Sequence, residues 1–256
     1  MADALYLVDG GTFVPQPITQ GPWSPDAQHG GPVAALLART VEQVPTDAPM
    51  QVVRLTIELL RPVPLQPLTA SATVVRPGKR VQLIDARLQH EGVDVAWARA
   101  LRIREHPLEL PADALGESPS SPPEGAAVAT TAFHVPYAAA VQLHFTKGDW
   151  SVPGPVTMWT RLVVPVVADE SPSPLQRTAA AADFGNGVSW VVDFASHVFI
   201  NPDLSLTLSR PPRGEWVGFD VVSRLSRDGV GMAESAIFDA VGTVGRATQS
   251  LLVEGR

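Results

Sequence analysis

Gln249 is an amide in apolar company. In the last stretch with strand spacing, Arg246 to Val253, it shares a face with Ala247, Leu251 and Val253, while Thr248, Ser250 and Leu252 face the other way. A buried amide left without hydrogen bonds costs about 1–3 kcal/mol. Gln249 must therefore bond a neighbouring backbone group, or hold a water or a substrate carbonyl. Asp183 poses the same question as a carboxylate. It lies eight residues after Leu175, on the face of Ala179 and Ala182, in the last turn of a predicted helix. Apolar surroundings and a helix C-terminus both disfavour its ionised form, which suits a general base working near neutrality. The alternative is a frayed helix end, with Asp183 in water or capping an amide. His29-Gly30-Gly31-Pro32 opens the first helix. Free backbone N–H groups there can polarise a carbonyl or bind an anion, unless the glycines simply make a tight turn. Asn201 precedes Pro202, a common turn signal, yet its amide can also donate to a water. Ser205 and Thr207 are nearby hydroxyls that point off the core face. Trp23 is either packing or pocket lining.

Other chemistries lack their residues. The chain has no cysteine, which removes disulfides, a thiol nucleophile and Cys-ligated metal. Its six histidines show no HxH, HxxxH or HExxH spacing, so no metal is expected. There is no GxSxG elbow and no phosphate or dinucleotide glycine motif, so neither a serine hydrolase nor a cofactor is expected. A net charge of −7 argues against a nucleic-acid or anionic-membrane surface and leaves room for one local anion site. The N-terminus lacks the basic and apolar regions of a signal peptide, and no apolar run is long enough to span a bilayer. The chain reads as soluble and cytoplasmic.

These residues must be positioned by regular elements. Val33, Leu36, Leu37, Val41 and Val44 mark one face of a helix that Pro45 ends. Val53 to Leu59 alternates as a strand, followed by Leu68–Arg76, Val81–His90 and Val93–Arg104 across short turns. Five prolines among Ser, Ala and Glu between Glu105 and Thr131 mark a linker. Val156 to Val167 alternates weakly. Ser173-Pro174-Leu175-Gln176 then starts a second helix, which stops near Gly185-Asn186-Gly187. Strands are expected at Val188–His197, Leu204–Ser209, Trp216–Leu225, Gly231–Asp239 and Arg246–Val253. Leu55 and Leu204 differ by 149, as do the strand stops Arg61-Pro62 and Arg210-Pro211. One extra residue in the Glu91-Gly92 turn then pairs Gly92 with Gly242 and Arg99 with Gln249. The chain is thus an α+β internal duplication: residues 1–104, a linker and bridging segment 105–150, and residues 151–256. Each repeat is a helix wrapped by a curved antiparallel sheet, and an uncovered sheet edge favours pairing of the two.

The sequence resembles the acyl-CoA thioesterase II-like (TesB-like) family of double hotdog proteins. Trp23 with His29-Gly30-Gly31-Pro32 carries the likeness in the first half. Ala182-Asp183-Phe184, Asn201-Pro202-Asp203-Leu204-Ser205, Arg210-Pro211, Gly214-Glu215-Trp216 and Gly245-Arg246-Ala247-Thr248-Gln249 carry it in the second. The resemblance implies a cytoplasmic hydrolase of acyl-CoA in fatty acid metabolism, assembled as a homodimer and needing no cofactor. It implies a catalytic trio of Asp183, Gln249 and, where the family has Thr or Ser, Asn201. It further implies substrate binding at Trp23, His29, Gly30 and Gly31. Arg99, in the repeat position of Gln249, is expected to pair with Glu58 or another carboxylate, or to contact a CoA phosphate. The other readings are a non-catalytic acyl-CoA or lipid-binding hotdog protein, and a hydratase. The second is weakened by Val188, which stands where hydratases carry a histidine.

Overall fold

The computed structural model describes residues 4–111 and 135–256. Most of the proline-rich linker, residues 112–134, lies outside the described residues. The chain begins with a hairpin of β1 (Tyr6–Asp9) and β2 (Thr12–Pro15). Helix α1 (Gly30–Glu42) follows, then β3 (Met50–Leu59), β4 (Thr69–Arg76), β5 (Val81–His90) and β6 (Val93–Arg104). The bridging segment supplies β7 (Val141–Lys147), which pairs with β8 (Val156–Leu162). The second repeat runs α2 (Pro174–Ala182), a short turn α3 (Gly185–Val188), β9 (His197–Ile200), β10 (Asp203–Leu208), β11 (Val217–Leu225), β12 (Val230–Phe238) and β13 (Thr243–Gly255).

The two repeats share one sheet. Among the described residues it has eleven strands, in the order β4-β5-β6-β3-β10-β13-β12-β11-β8-β7, with β9 beside β13. The strand edges that needed cover, β3 and β10, cover each other as antiparallel neighbours. Thr56 lies directly opposite Ser205, and these two residues are 149 apart. The repeat offset therefore maps this pair onto itself, which places the pseudo-twofold between β3 and β10.

Helix α1 packs on β3–β6, α2 packs on β8 and β11, and the two helices pack on each other. Ten of the thirteen residues of α1 are buried, including Leu36 and Leu37 at zero exposure. Each such leucine is worth about 1.5–3 kcal/mol. Helix α2 is capped by Ser173, whose hydroxyl accepts from the Gln176 N–H at 3.1 Å, as the capping-box spacing predicts. Its four alanines, 179–182, let it approach α1 closely. A Cβ on Gly31 would meet the Ala180 carbonyl at 2.5 Å, so that position admits only glycine without moving a helix.

One sequence reading needs correction. Val188–His197 is not a strand. Val188 closes α3, the Ser189 hydroxyl donates to the Gly185 carbonyl at 2.8 Å, and Asp193 caps a turn at Ala195. Of the apolar residues there, Val188 is buried, Phe194 lines the cavity described below, and Val191 is exposed. Arg99 pairs with a carboxylate as expected, and the partner is Asp85 rather than Glu58. The register sets Arg99 opposite Asp85 and Glu58 opposite Trp97, and Arg99 makes two hydrogen bonds to Asp85 at 2.8 and 2.9 Å. These bonds hold the Asp85 carboxyl below its usual range. The repeated Arg-Pro stop is locked in its second copy. Arg210 clamps the fully buried Asp239, which also accepts from the backbone N–H groups of Arg213, Val241 and Gly242. Burial pushes the Asp239 carboxyl up, but Arg210 and these N–H groups outweigh it and hold the group far below the usual carboxylate range.

Candidate active site

The C-terminus of α2 meets the N-terminus of α1, and Asp183 sits at that junction. It is the residue that caps α2, and its side chain is only 4% exposed. Its Oδ1 accepts from Asn201 Nδ2 at 2.7 Å and from Gln249 Nε2 at 3.2 Å. Its Oδ2 lies 2.8 Å from His29 Nδ1. The carboxylate thus touches side chains from three other elements. None of these contacts is local: Asn201 is 18 residues away along the chain and Gln249 is 66.

Each partner is itself held. Gln249 Oε1 accepts from the Asn186 backbone N–H at 3.0 Å, which turns its NH2 group toward Asp183. A Cβ on Gly185 would lie 2.6 Å from that oxygen, so a glycine is needed beside it. Asn201 Nδ2 also donates to the Asp203 carbonyl at 3.1 Å. Asn201 thereby supplies a donor to Asp183 where a hydroxyl was the expected group. Ser205 and Thr207 are not brought to this site; Ser205 instead faces Thr56.

His29 caps α1, and its Nδ1 lies 3.1 Å from the Gly31 N–H as well as close to Asp183. One ring nitrogen offers either a lone pair or a proton, so it cannot serve both partners at once. A carboxylate oxygen facing a bare lone pair at this distance would be repelled. A proton therefore lies between Nδ1 and Oδ2 when the two are in contact, on one atom or the other. Sequence reasoning used only the backbone at this position, and the imidazole is the part it missed. The ring is held by Tyr137 and Phe184, with centroids 4.8 and 5.0 Å away. Tyr137 donates to the Ala180 carbonyl at 2.8 Å, and burial pushes its phenol well above the ordinary range, with Asp183 and Tyr6 adding to the shift. Nothing in the local sequence around Tyr137 marks it.

Gly30 is the first residue of α1. A Cβ there would lie 2.6–2.8 Å from all three atoms of the Asp183 carboxyl group. Its absence lets the acid rest over a helix N-terminus, where unpaired N–H groups favour negative charge. The sequence had placed Asp183 only against the C-terminus of its own helix.

A cavity of about 680 Å³ opens beside this cluster. Asp183, His29, Gly30 and Asn201 line it, together with Trp23, Val33 and Val63 from the first repeat and Phe184, Phe194 and Ile200 from the second. Trp23 both lines the cavity and packs, stacking on Phe194 at 6.0 Å and meeting Phe199 edge-on at 5.7 Å. Gly31 and Gln249 stand behind this wall and do not line the cavity. No three histidine, aspartate or glutamate side chains converge as a metal site among the described residues. No described helix is long and apolar enough to cross a membrane.

Comparisons with known proteins bear on this arrangement. Residues 19–103 match the acyl-CoA thioesterase N-terminal domain, and residues 107–253 match the acyl-CoA thioesterase C-terminal domain. The fold is similar to that of the acyl-CoA thioesterase II TesB2 from Mycobacterium marinum, at 17% identity and TM-score 0.66, covering 99% of this chain and 96% of that one. It is also similar to the tesB protein of Mycobacterium avium subs paratuberculosis, at 16% identity and TM-score 0.67, covering 96% and 94%. A hot dog fold protein from Alicyclobacillus acidocaldarius matches at 15% identity and TM-score 0.67, covering 99% and 97%. A sequence search among curated proteins found no match. With both of its domains matched in order, this double hotdog chain belongs to the acyl-CoA thioesterase family, a family of thioester hydrolases.

Proposed function

We propose that the chain hydrolyses acyl-CoA thioesters to free acid and CoA, with Asp183 as general base. The observation that carries this reading is a nearly buried carboxylate, fixed by three side chains, on the wall of an apolar cavity. A carboxylate offers about four lone-pair directions. Asn201 and Gln249 occupy two on Oδ1 and His29 occupies one on Oδ2, which leaves one on Oδ2 for a water. Asp183 takes a proton from that water as its oxygen attacks the thioester carbonyl carbon. The tetrahedral intermediate carries an oxyanion, for which the free Gly30 N–H at the start of α1 is a suitable donor. Collapse breaks the carbon–sulfur bond. The CoA thiolate leaves and takes up the proton held by Asp183. Thiolate is a good leaving group, so no covalent enzyme intermediate and no cofactor are needed.

In this scheme Gln249, Asn201 and His29 hold Asp183 in its attacking orientation. When Nδ1 donates to Asp183, it no longer accepts from Gly31, and a second backbone N–H becomes free at the same helix end. Trp23, Phe184 and Phe194 are suited to the acyl group. Asn201 has no hydroxyl, but its donation to Asp183 supports the catalytic reading over the non-catalytic one.

The test is thiol release from a panel of acyl-CoAs. The chain has no cysteine, so a thiol reagent reads only released CoA. Asp183→Asn is expected to lower kcat about 10³-fold with an unchanged melting profile. Full activity in this variant refutes the mechanism. Binding of acyl-CoA by the wild type without release would select the non-catalytic reading instead.

A further inference from the structure

The Arg-Pro stop occurs twice, and only one copy is neutralised. Arg210 is clamped by the buried Asp239. At the offset of 149, the repeat position of Asp239 in the first half is His90, whose ring Nδ1 lies 3.1 Å from the Pro67 carbonyl. Arg61 therefore has no built-in acid. It is exposed, lines the cavity that contains Asp183, and makes no side-chain hydrogen bond or ion pair among the described residues.

Arg61 is also held in place by its backbone. The Leu60 N–H donates to the Val95 carbonyl at 3.1 Å. The Val63 carbonyl accepts from the Gln28 N–H at 2.8 Å, and the Leu65 N–H donates to Asp26 at 3.0 Å. Pro62 and Pro64 fix φ between these anchors. Arg256 is a second cation on the same cavity, and its one side-chain bond is to the His197 carbonyl. Two guanidiniums without a carboxylate partner at one cavity are conspicuous on a chain of net charge −7.

We propose that Arg61, assisted by Arg256, docks the phosphate groups of CoA and so selects CoA thioesters over uncharged ones. This rests on reading the cavity as the acyl-CoA site. The reacting carbon must reach Asp183 and the acyl group needs the apolar lining. The remaining, charged part of the substrate must then lie toward the exposed rim, where Arg61 is. A guanidinium matches phosphate oxygens with paired hydrogen bonds, and a local positive field steers a polyanion that the net charge would otherwise repel. Arg99, the other candidate for a CoA phosphate, is already engaged by Asp85 and stacked over Trp97 at 5.0 Å.

The experiment compares one acyl group carried on CoA, on 3′-dephospho-CoA and on pantetheine, which has no phosphate. Arg61→Ala is expected to raise KM for acyl-CoA about fivefold with kcat within about twofold, and Arg61→Glu more. Arg61→Lys should fall between, and KM for acyl-pantetheine should stay at its wild-type value. Loss of the Arg61 effect on the dephospho ester assigns the contact to the 3′-phosphate, and its retention assigns it to the diphosphate. Unchanged KM for acyl-CoA in both Arg61→Ala and Arg61→Glu overturns the proposal, as does an equal rise for acyl-pantetheine. Calorimetric titration with CoA alone separates this from the hydrolytic reading. Arg61-dependent, salt-sensitive binding by a chain that cleaves no thioester keeps the docking and ends the hydrolysis. A wild type that does not bind CoA ends the docking.

Discussion

Gly30→Ala adds one methyl group at the point where the two helix ends meet. The new Cβ would lie 2.6 Å from Asp183 Oδ2 and 2.8 Å from both Oδ1 and Cγ, whereas ordinary contact begins near 3.4 Å. The carboxyl group must therefore retreat by about 0.6–0.8 Å, or the start of α1 must swing away by as much; misplacement of about 1 Å can cost 10²-fold in rate. Retreat strains the bonds to Asn201 at 2.7 Å and Gln249 at 3.2 Å, and it moves the remaining lone pair of Oδ2 away from the position of attack. We expect kcat/KM on acyl-CoA to fall about 10–100-fold. Stability should change by no more than about 1 kcal/mol, because alanine in a helix offsets part of the strain. The assay is thiol release, paired with urea unfolding of the same preparation. Gly31→Ala is the companion variant. Its Cβ would meet the Ala180 backbone at 2.5 Å and the Tyr137 ring at 2.6 Å, so it should separate α1 from α2 and lower stability by about 1–3 kcal/mol. Wild-type activity in Gly30→Ala would refute the reasoning, because it would mean that the position of the Asp183 carboxylate does not matter to turnover.

Asn201→Thr supplies a different donor at the same place and is expected to keep activity within about tenfold, whereas Asn201→Asp sets a second carboxylate against Asp183 and should lower it at least about 100-fold; thiol release on both variants checks the pair. Asp239→Asn should cost about 2–4 kcal/mol in urea unfolding at pH 7, since it leaves Arg210 without its counter-charge. The Asp239 carboxyl is depressed in the folded chain, so its stabilisation is complete above the unfolded value near ~4 and is lost as pH falls below it. Unfolding curves at pH 7, 5 and 3 should therefore converge for wild type and variant toward low pH.

Much of the fold follows from local pattern. Period-2 alternation put Gln249 on an apolar face, apolar spacing marked both helices, and the offset of 149 predicted a duplication whose pseudo-twofold passes between Thr56 and Ser205. The residues of the cluster could be named because a polar side chain in an apolar stretch is visible without coordinates. Pairing was not visible in that way. Arg99 faces Asp85 and not Glu58 because strand register decides which residues lie opposite, and alternation alone says only which face each occupies. Val188–His197 looked like a strand because a short run of β-branched and aromatic residues has the same composition in a strand and in an irregular segment. Above all, the partners of Asp183 come from the start of α1, the end of β9 and the middle of β13, and only the antiparallel contact of two small-residue helices brings them within hydrogen-bond reach. Sequence determined which side chains needed partners; tertiary packing decided which partners they have, because directional bonds a few ångströms long depend on the relative placement of elements far apart in the chain.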